Sequence, residues 1–183
     1  TADQTIAVTG NVSAAPSAGT LSGTQSICVG STTTFTSTVS GGAWTSSNIA
    51  IATVNASGVV TGIAAGTATI TYTVTGTAPC GNATATRTVT VTAAPAAGTL
   101  SGTQTACVGA TATFSSTVSG GAWTSSNTAV ATVNSSGVIT GIASGTATIT
   151  YTVTGTGGCA NATATRTVTV TAAPSTPSGS VTV

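Results

Sequence analysis

The stretch Thr67-Ala68-Thr69-Ile70-Thr71-Tyr72-Thr73-Val74 decides the fold, because threonine alternates strictly with small or apolar residues. Successive side chains of a β-strand point to opposite faces. One face of this segment is therefore apolar, and the other consists of threonine side chains. The same eight residues recur as Thr146–Val153. Alternation of this length predicts a strand with one buried and one solvated face.

Similar alternation, interrupted by glycine-containing turns, extends on both sides of this stretch, and no segment shows helical periodicity. We predict seven strands in the first copy of the pattern: Gly19–Ser26, Thr32–Val39, Gly42–Ser46, Ala50–Asn55, Val59–Gly62, Thr67–Thr75 and Ala83–Thr92. Seven short strands in 79 residues indicate an all-β fold of two packed sheets.

The pattern is duplicated along the chain. Residues 18–96 align without a gap to residues 97–175 and differ from them at only 14 positions. We predict two tandem sandwich domains with these boundaries, called here the first and second repeat. Residues 1–17 are interpreted as a strand and linker, either the tail of a preceding repeat or a donor strand. Residues 176–183 are interpreted as a C-terminal strand segment.

The composition argues against several classes of function. Only Asp3, Arg87 and Arg166 are charged among the 183 residues, and the chain contains no His, Lys, Glu or Met. General acid–base catalysis has no ordinary base here, and nucleic-acid binding has too few cations. No apolar run approaches the roughly 18 residues of a membrane span. We expect no enzyme activity, cofactor, nucleic-acid partner or membrane span, and we predict that both arginines are solvated charges on a strand edge.

Each repeat contains one tryptophan and one tyrosine, at equivalent positions. We predict that Trp44 and Tyr72, and likewise Trp123 and Tyr151, anchor the sandwich cores. A role as an exposed sugar-stacking platform is not expected, because no second aromatic residue adjoins either tryptophan in sequence.

The run Trp44-Thr-Ser-Ser-Asn48, followed by Ala52-Thr-Val-Asn-Ala-Ser-Gly58-Val-Val-Thr-Gly62 and Ile63-Ala-Ala-Gly66-Thr-Ala-Thr-Ile-Thr-Tyr72, resembles the bacterial Ig-like group 2 repeat. The second copy of the run extends from Trp123 to Tyr151. The added cysteines look like those in giant surface adhesins of the Bacteroidetes. The resemblance implies an immunoglobulin-like module of the extracellular cell surface, used in tandem as a spacer or for adhesion. Relatives that bind Ca²⁺ between domains use acidic residues, so we expect no metal site here.

The four cysteines leave two pairings open. Cys28 precedes the predicted second strand and Cys80 precedes the last strand, so alternating strands would place them at opposite ends of the first repeat. A strand of about eight residues spans roughly 26 Å, whereas the Cα atoms of a disulfide lie within about 7 Å. In a head-to-tail stack, Cys28 would meet Cys159, leaving Cys80 and Cys107 for neighbouring subunits or repeats. The alternative is one bond within each repeat, Cys28–Cys80 and Cys107–Cys159.

Both ends of the chain look like parts of further sandwiches. The first residues are similar to the last strand and linker of a repeat, and the final residues are similar to a first strand. Such segments could add to neighbouring copies as extra strands. The candidate residues are Ile6, Val8, Val12, Val181 and Val183.

Together these features predict a structural subunit or repeat segment of an extracellular bacterial filament, stalk or adhesin, joined end to end by strand addition, interdomain disulfides or both. Its partners would be copies of itself in a homopolymer, or adjoining repeats. The alternative is a surface module that binds glycan or protein through its loops. The nearly identical loops of the two repeats favour repetitive spacing over a dedicated binding site.

Overall fold

The computed structural model describes residues 14–173, which contain strands, turns and loops but no helix. The chain divides into two compact units between Ala93 and Ala94. This division lies three residues before the predicted boundary between the repeats. The fold is all-β, with one immunoglobulin-like sandwich in each unit, as the alternation of apolar residues and threonine predicts.

The first repeat contains nine strands: β1 (Leu21–Ser22), β2 (Ser26–Cys28), β3 (Thr32–Thr34), β4 (Thr36–Ser37), β5 (Ala43–Ser46), β6 (Ala52–Val54), β7 (Val59–Gly62), β8 (Gly66–Val74) and β9 (Ala83–Thr92). One sheet has the strand order β2-β9-β8-β5, and a second sheet has the order β3-β7-β6. Strand β1 pairs with β4. The long antiparallel pair β8–β9 forms the centre of the first sheet and fixes the register of its neighbours.

The second repeat contains eight strands: β10 (Leu100–Gly102), β11 (Thr105–Cys107), β12 (Thr111–Ser116), β13 (Ala122–Ser125), β14 (Ala131–Val133), β15 (Val138–Gly141), β16 (Gly145–Val153) and β17 (Ala162–Thr171). Its two sheets have the orders β11-β17-β16-β13 and β10-β12-β15-β14. The register of β16 with β17 repeats that of β8 with β9 residue for residue.

The prediction of a single first strand over Gly19–Ser26 is wrong. The segment forms β1, which pairs antiparallel with β4, and then β2, which pairs parallel with β9 in the other sheet. Between them, Gly23 has a φ of 124°, a conformation that is open to glycine but strained for residues with a Cβ. The chain therefore changes sheets where the sequence pattern suggests continuity. The predicted strand Thr32–Val39 is likewise divided, into β3 and β4.

The core of each repeat comes from the apolar face of the alternating strands. In β8, Ala68 is 2% exposed and Ile70 is fully buried, while the threonines between them are partly or fully accessible. Phe35 is fully buried against the same cluster, and Phe114 is its equivalent in the second repeat. Burying an aromatic or large aliphatic side chain contributes on the order of 2–3 kcal/mol, so these residues supply much of the driving force for folding.

Candidate functional site

The cysteines lie at defined ends of the sandwiches. Strand β2 runs parallel to β9, so that Cys28 lies opposite Thr92, the final residue of the last strand of its repeat. We call this end the exit end. Cys107 occupies the same position in the second repeat, opposite Thr171. Cys80 lies in the loop that leads into Ala83, the first residue of β9, and therefore close to the other end of its repeat.

The cysteines also differ in chemical state. Cys28 and Cys159 are both disulfide-bonded. Cys107 is an exposed free thiol, and the hydroxyl of Thr171 lies 3.7 Å from its sulfur. Cys80 is half-buried in a turn in which its backbone N–H donates to the carbonyl of Thr77 over 2.9 Å. The overall pairing scheme for all four cysteines, including any bonds to neighbouring chains, stays a prediction.

An apolar patch accompanies the cysteine at each exit end. In the second repeat, Val108 is 37% exposed and Ile142 is 47% exposed. Gly109 follows Val108 in sequence and Gly141 precedes Ile142. The N–H of Gly109 donates a 2.9 Å hydrogen bond to the carbonyl of Gly141, which brings the two segments together. The first repeat presents Val29 and Ile63 in the same way. Exposed large apolar side chains that recur together beside a cysteine are a candidate contact surface.

The aromatic residues form a tilted, contacting pair in each repeat. The rings of Trp44 and Tyr72 lie 4.6 Å apart between centroids at 45°, and Trp123 and Tyr151 reproduce this geometry. Tyr72 is only 4% exposed, whereas Trp44 is half-buried and packs against two buried clusters of the first repeat. The tyrosine thus lies in the core, and the tryptophan reaches from the core towards the surface.

The tyrosine hydroxyl holds the loop before β5. In the first repeat, it donates to the carbonyl of Val39 over 2.9 Å and accepts the N–H of Gly42 over 2.7 Å. A Cβ on Gly42 would lie 2.5 Å from the Tyr72 ring, so the close approach requires glycine. The hydrogen-bonded hydroxyl and the contact between the two tilted rings together fix the position of the tryptophan.

Replacing Tyr72 with phenylalanine should lower the free energy of unfolding of the first repeat by about 1–2 kcal/mol, because two part-buried backbone groups lose their partner. Urea unfolding followed by tryptophan fluorescence measures the change, and Tyr151→Phe is the matched variant in the second repeat. A change below about 0.3 kcal/mol in both variants would show that solvent replaces the hydroxyl at no cost.

The arginines are not solvated edge charges, and that prediction is wrong. Strand β9 is not an edge strand, because it pairs on both sides. The guanidinium of Arg87 donates twice to the carbonyl of Gly23, over 3.1 and 2.7 Å, and once to the carbonyl of Leu21 over 3.0 Å. Its central carbon lies 5.6 Å from the centroid of the Phe35 ring. The Arg87 side chain therefore joins β1 to the first sheet through these hydrogen bonds, while its guanidinium lies over the Phe35 ring. We call this arrangement the arginine clamp.

The second repeat contains the same clamp with fewer bonds. Arg166 donates to the carbonyls of Leu100 and Gly102 over 3.1 and 3.0 Å, and it lies 5.5 Å from the Phe114 centroid. Its Nε is buried without a hydrogen-bond partner. The sequence contained a signal for this role, because each arginine occupies an inward position of the alternating pattern.

Open grooves flank the tryptophans. In the first repeat, a groove of about 410 Å³ between β5 and β6 is lined by Trp44, Ile49 and Val54 together with neighbouring hydroxyl residues. An equivalent groove of about 370 Å³ lies beside Trp123. A further groove, on another side of Trp123, is rich in serine. These grooves were not predicted, because each combines residues from segments that are separate in sequence.

Three further sequence-based expectations concern the ends of the chain, metal binding and membrane insertion. The strand-addition candidates Ile6, Val8, Val12, Val181 and Val183 lie outside the described residues. Across residues 14–173, no cluster of three or more His, Cys, Asp or Glu side chains could hold a metal ion. The described part of the chain has no helix with the length and apolar character needed to cross a bilayer.

Comparisons with known proteins agree with the sandwich fold. Residues 7–80 match the family model of the bacterial Ig-like domain (group 2). No curated protein sequence matches the chain. The class that the fold defines is therefore a pair of tandem immunoglobulin-like sandwiches, with a group 2 match in the first part of the chain.

Solved structures with a similar fold share little sequence with the chain. Domains 1–6 of the surface layer protein SbsC are 21% identical, with a TM-score of 0.38 over 90% of this chain and 29% of that one. A C-terminal fragment of intimin, solved with the intimin-binding domain of its translocated receptor, is 17% identical, with a TM-score of 0.50 over 85% of this chain and 64% of the fragment. The chain spans less than a third of the SbsC structure. At these identities the likeness shows the fold alone.

Proposed function

We propose that this chain is a structural subunit or repeat segment of an extracellular bacterial filament, stalk or Bacteroidetes-type adhesin, and that it has no catalytic activity. Its units would be joined end to end by interdomain disulfides, by strand addition, or by both. The observation that carries the proposal is the arrangement of the cysteines, which are placed at the ends of the sandwiches and differ in state between the repeats.

The positions within the first repeat disfavour a bond between its own two cysteines. Cys28 lies opposite the last residue of β9, and Cys80 lies before the first. A strand of ten residues spans roughly 30 Å, and disulfide formation requires Cα atoms within about 7 Å. Because Cys28 and Cys159 are both disulfide-bonded, we infer that they pair with each other and link the two repeats.

The exit end of the second repeat would then be the place where the chain is joined to a neighbouring copy. Cys107 is the equivalent of Cys28, it is an exposed thiol, and Val108 and Ile142 lie beside it. Within the chain, Cys28 of one repeat pairs with Cys159 of the next. Cys80 is the equivalent of Cys159 in the first repeat, so we infer that Cys107 bonds to Cys80 of a neighbouring copy. Two thiols then lose two protons and two electrons to the disulfide of a thiol oxidoreductase, which leaves as a dithiol. Burial of the apolar patch would add noncovalent affinity.

Loss of Cys107 is expected to abolish covalent chain extension. Purified chain oxidised by a glutathione disulfide buffer should form a ladder of multimers on non-reducing denaturing gels, and Cys107→Ser should form nothing larger than a dimer. Exposed Thr111→Ser, which leaves every thiol in place, is the control and should retain the ladder. A ladder that persists in Cys107→Ser would contradict the proposed junction.

Proteolytic mapping of the same variant tests the bond within the chain. Trypsin has only Arg87 and Arg166 to recognise, so complete digestion in denaturant gives fragments 1–87, 88–166 and 167–183. Cys28 and Cys80 belong to the first of these fragments, and Cys159 to the second. In monomeric Cys107→Ser, the two large fragments should stay linked until a reductant is added. Separate fragments without reductant would show that no disulfide joins the two repeats, and would overturn the scheme.

A further inference from the structure

The second repeat has a groove whose side chains have the chemistry of a sugar-binding site. The groove has a volume of about 230 Å³ and opens between the end of β12, the loop before β13 and the turn between β14 and β15. Its lining combines the half-buried Trp123 ring with serine hydroxyls and contains no charged side chain, whereas Phe114 and Tyr151 lie behind it in the core. The lining residues used below are Ser115, Ser119, Trp123, Ser135 and Ser136.

The aromatic part of the groove is held in place by the core. The ring of Trp123 packs against that of Tyr151 in a tilted arrangement, with 4.6 Å between centroids. The hydroxyl of Tyr151 donates to the carbonyl of Val118 over 2.9 Å and accepts the N–H of Gly121 over 2.6 Å. The loop that forms one wall is thereby fixed to the same pair of rings. A ligand that stacks on Trp123 does not have to order this wall, which lowers the entropic cost of binding.

The backbone that carries the serine hydroxyls of the groove is also held in place, but the hydroxyls themselves are available to bind a ligand. The turn that carries Ser135 and Ser136 is closed by the side-chain oxygen of Asn134, which accepts the N–H groups of Ser136 and Val138 over 2.9 and 3.0 Å. The hydroxyls of Ser119, Ser135 and Ser136 make no hydrogen bond to protein within residues 14–173. Three exposed hydroxyls on a rigid frame can therefore exchange water for ligand hydroxyls.

The absence of charge among the lining residues disfavours an ionic ligand. A carboxylate, phosphate or ammonium group would lose hydration without gaining an opposite charge. A neutral ring with one apolar face and several hydroxyls matches both the indole and the serines. We propose that this groove binds one neutral hexopyranose unit of a glycan, which revises the sequence-based expectation that Trp123 is not a sugar-stacking residue, because hydroxyls from distant loops take the place of a second aromatic residue. This function is additional to the proposed role in end-to-end assembly and does not depend on it.

The two repeats differ at this groove. The equivalents of Ser115 and Ser135 in the first repeat are Thr36 and Ala56, which are two of the 14 differences between the copies. Ala56 removes one of the three available hydroxyls, and Thr36 adds a methyl group. We therefore expect selectivity for the second repeat, with the first repeat as an internal control in the same molecule.

The test uses the indole N–H signals of ¹⁵N-labelled full chain, since the protein has only two tryptophans and Trp44→Phe assigns them. Methyl glycosides of glucose, galactose, mannose and N-acetylglucosamine are titrated, with glucuronic acid as the charged comparison. At least one neutral glycoside should shift the Trp123 signal saturably, with a dissociation constant on the order of 1–10 mM for such a shallow site. Glucuronic acid should bind at least about fivefold more weakly.

Exchange variants make the result specific to the groove. Ser115→Thr with Ser135→Ala introduces the residues of the first repeat, so the fold is retained, and it should weaken binding at Trp123 about fivefold or more. Thr36→Ser with Ala56→Ser should produce a saturable shift at Trp44. Absence of any saturable shift at 50 mM glycoside, or equal shifts at both tryptophans that the exchanges leave unchanged, would overturn the proposal.

Discussion

Replacing Phe114 with alanine is expected to lower the free energy of unfolding of the second repeat by about 3–5 kcal/mol. The ring is fully buried, packs among the core residues of both sheets and carries the guanidinium of Arg166 at 5.5 Å from its centroid. Truncation removes apolar burial, leaves a cavity and deprives the cation of its aromatic partner. We expect an effect of similar size for Phe35→Ala in the first repeat, because Phe35 is equally buried and lies beside Arg87.

Urea unfolding monitored by Trp123 fluorescence measures this change, in a Trp44→Phe background so that the second repeat alone reports. Thr165→Val is the control, because that threonine is exposed on β17 and the change should shift stability by no more than about 0.5 kcal/mol. A loss below about 1 kcal/mol for Phe114→Ala would mean that the sandwich collapses around the missing ring, and that its core is not closely packed.

Replacing Arg87 with methionine is expected to lower the free energy of unfolding of the first repeat by about 2–3 kcal/mol. Methionine keeps much of the apolar stem but removes three hydrogen bonds from a charged donor to the carbonyls of Leu21 and Gly23. Because these bonds tie β1 to the rest of the repeat, amide exchange of the β1 backbone should accelerate more than that of β8. Urea unfolding and hydrogen exchange provide the two measurements.

Arg166→Met is the matched variant and should cost about 1 kcal/mol less. Arg166 makes two such bonds, and its buried Nε has no partner, so part of its desolvation is not compensated. Equal losses in the two variants would show that the cation–aromatic contact dominates the clamp. Unchanged exchange of the β1 amides in Arg87→Met would contradict the clamp itself.

The sequence was sufficient for the fold class because alternation of apolar and threonine side chains reports strand faces directly. Ile70 and Tyr72 are buried as that alternation predicts. The change of sheet at Gly23 could not be read in the same way, since both β1 and β2 continue an alternating pattern and differ only in their partners. Pairing between distant strands is set by tertiary packing, which local sequence does not encode.

The candidate sites, like the fold, could be predicted from the sequence only in part. The placement of Cys28 beside the end of the last strand follows from strand order and could be anticipated. The role of Arg87 differs from the predicted one because its charge alone predicts a solvated side chain, whereas its inward place in the alternation directs it towards the carbonyls of Leu21 and Gly23. The groove beside Trp123 could not be foreseen, because Ser119 and Ser135 come from different loops that only the folded sandwich brings together.

The central hairpins of the two sandwiches have a consequence for how the chain reaches its native state. Strands β8 and β9 are identical in sequence to β16 and β17, and their registers coincide. Either hairpin can therefore complete either sandwich with nearly the same contacts, so contact energy discriminates poorly against domain-swapped products. During synthesis on the ribosome, the first hairpin emerges and can fold before the second is made. Refolding from denaturant lacks this sequential order, so swapped products are expected more often there.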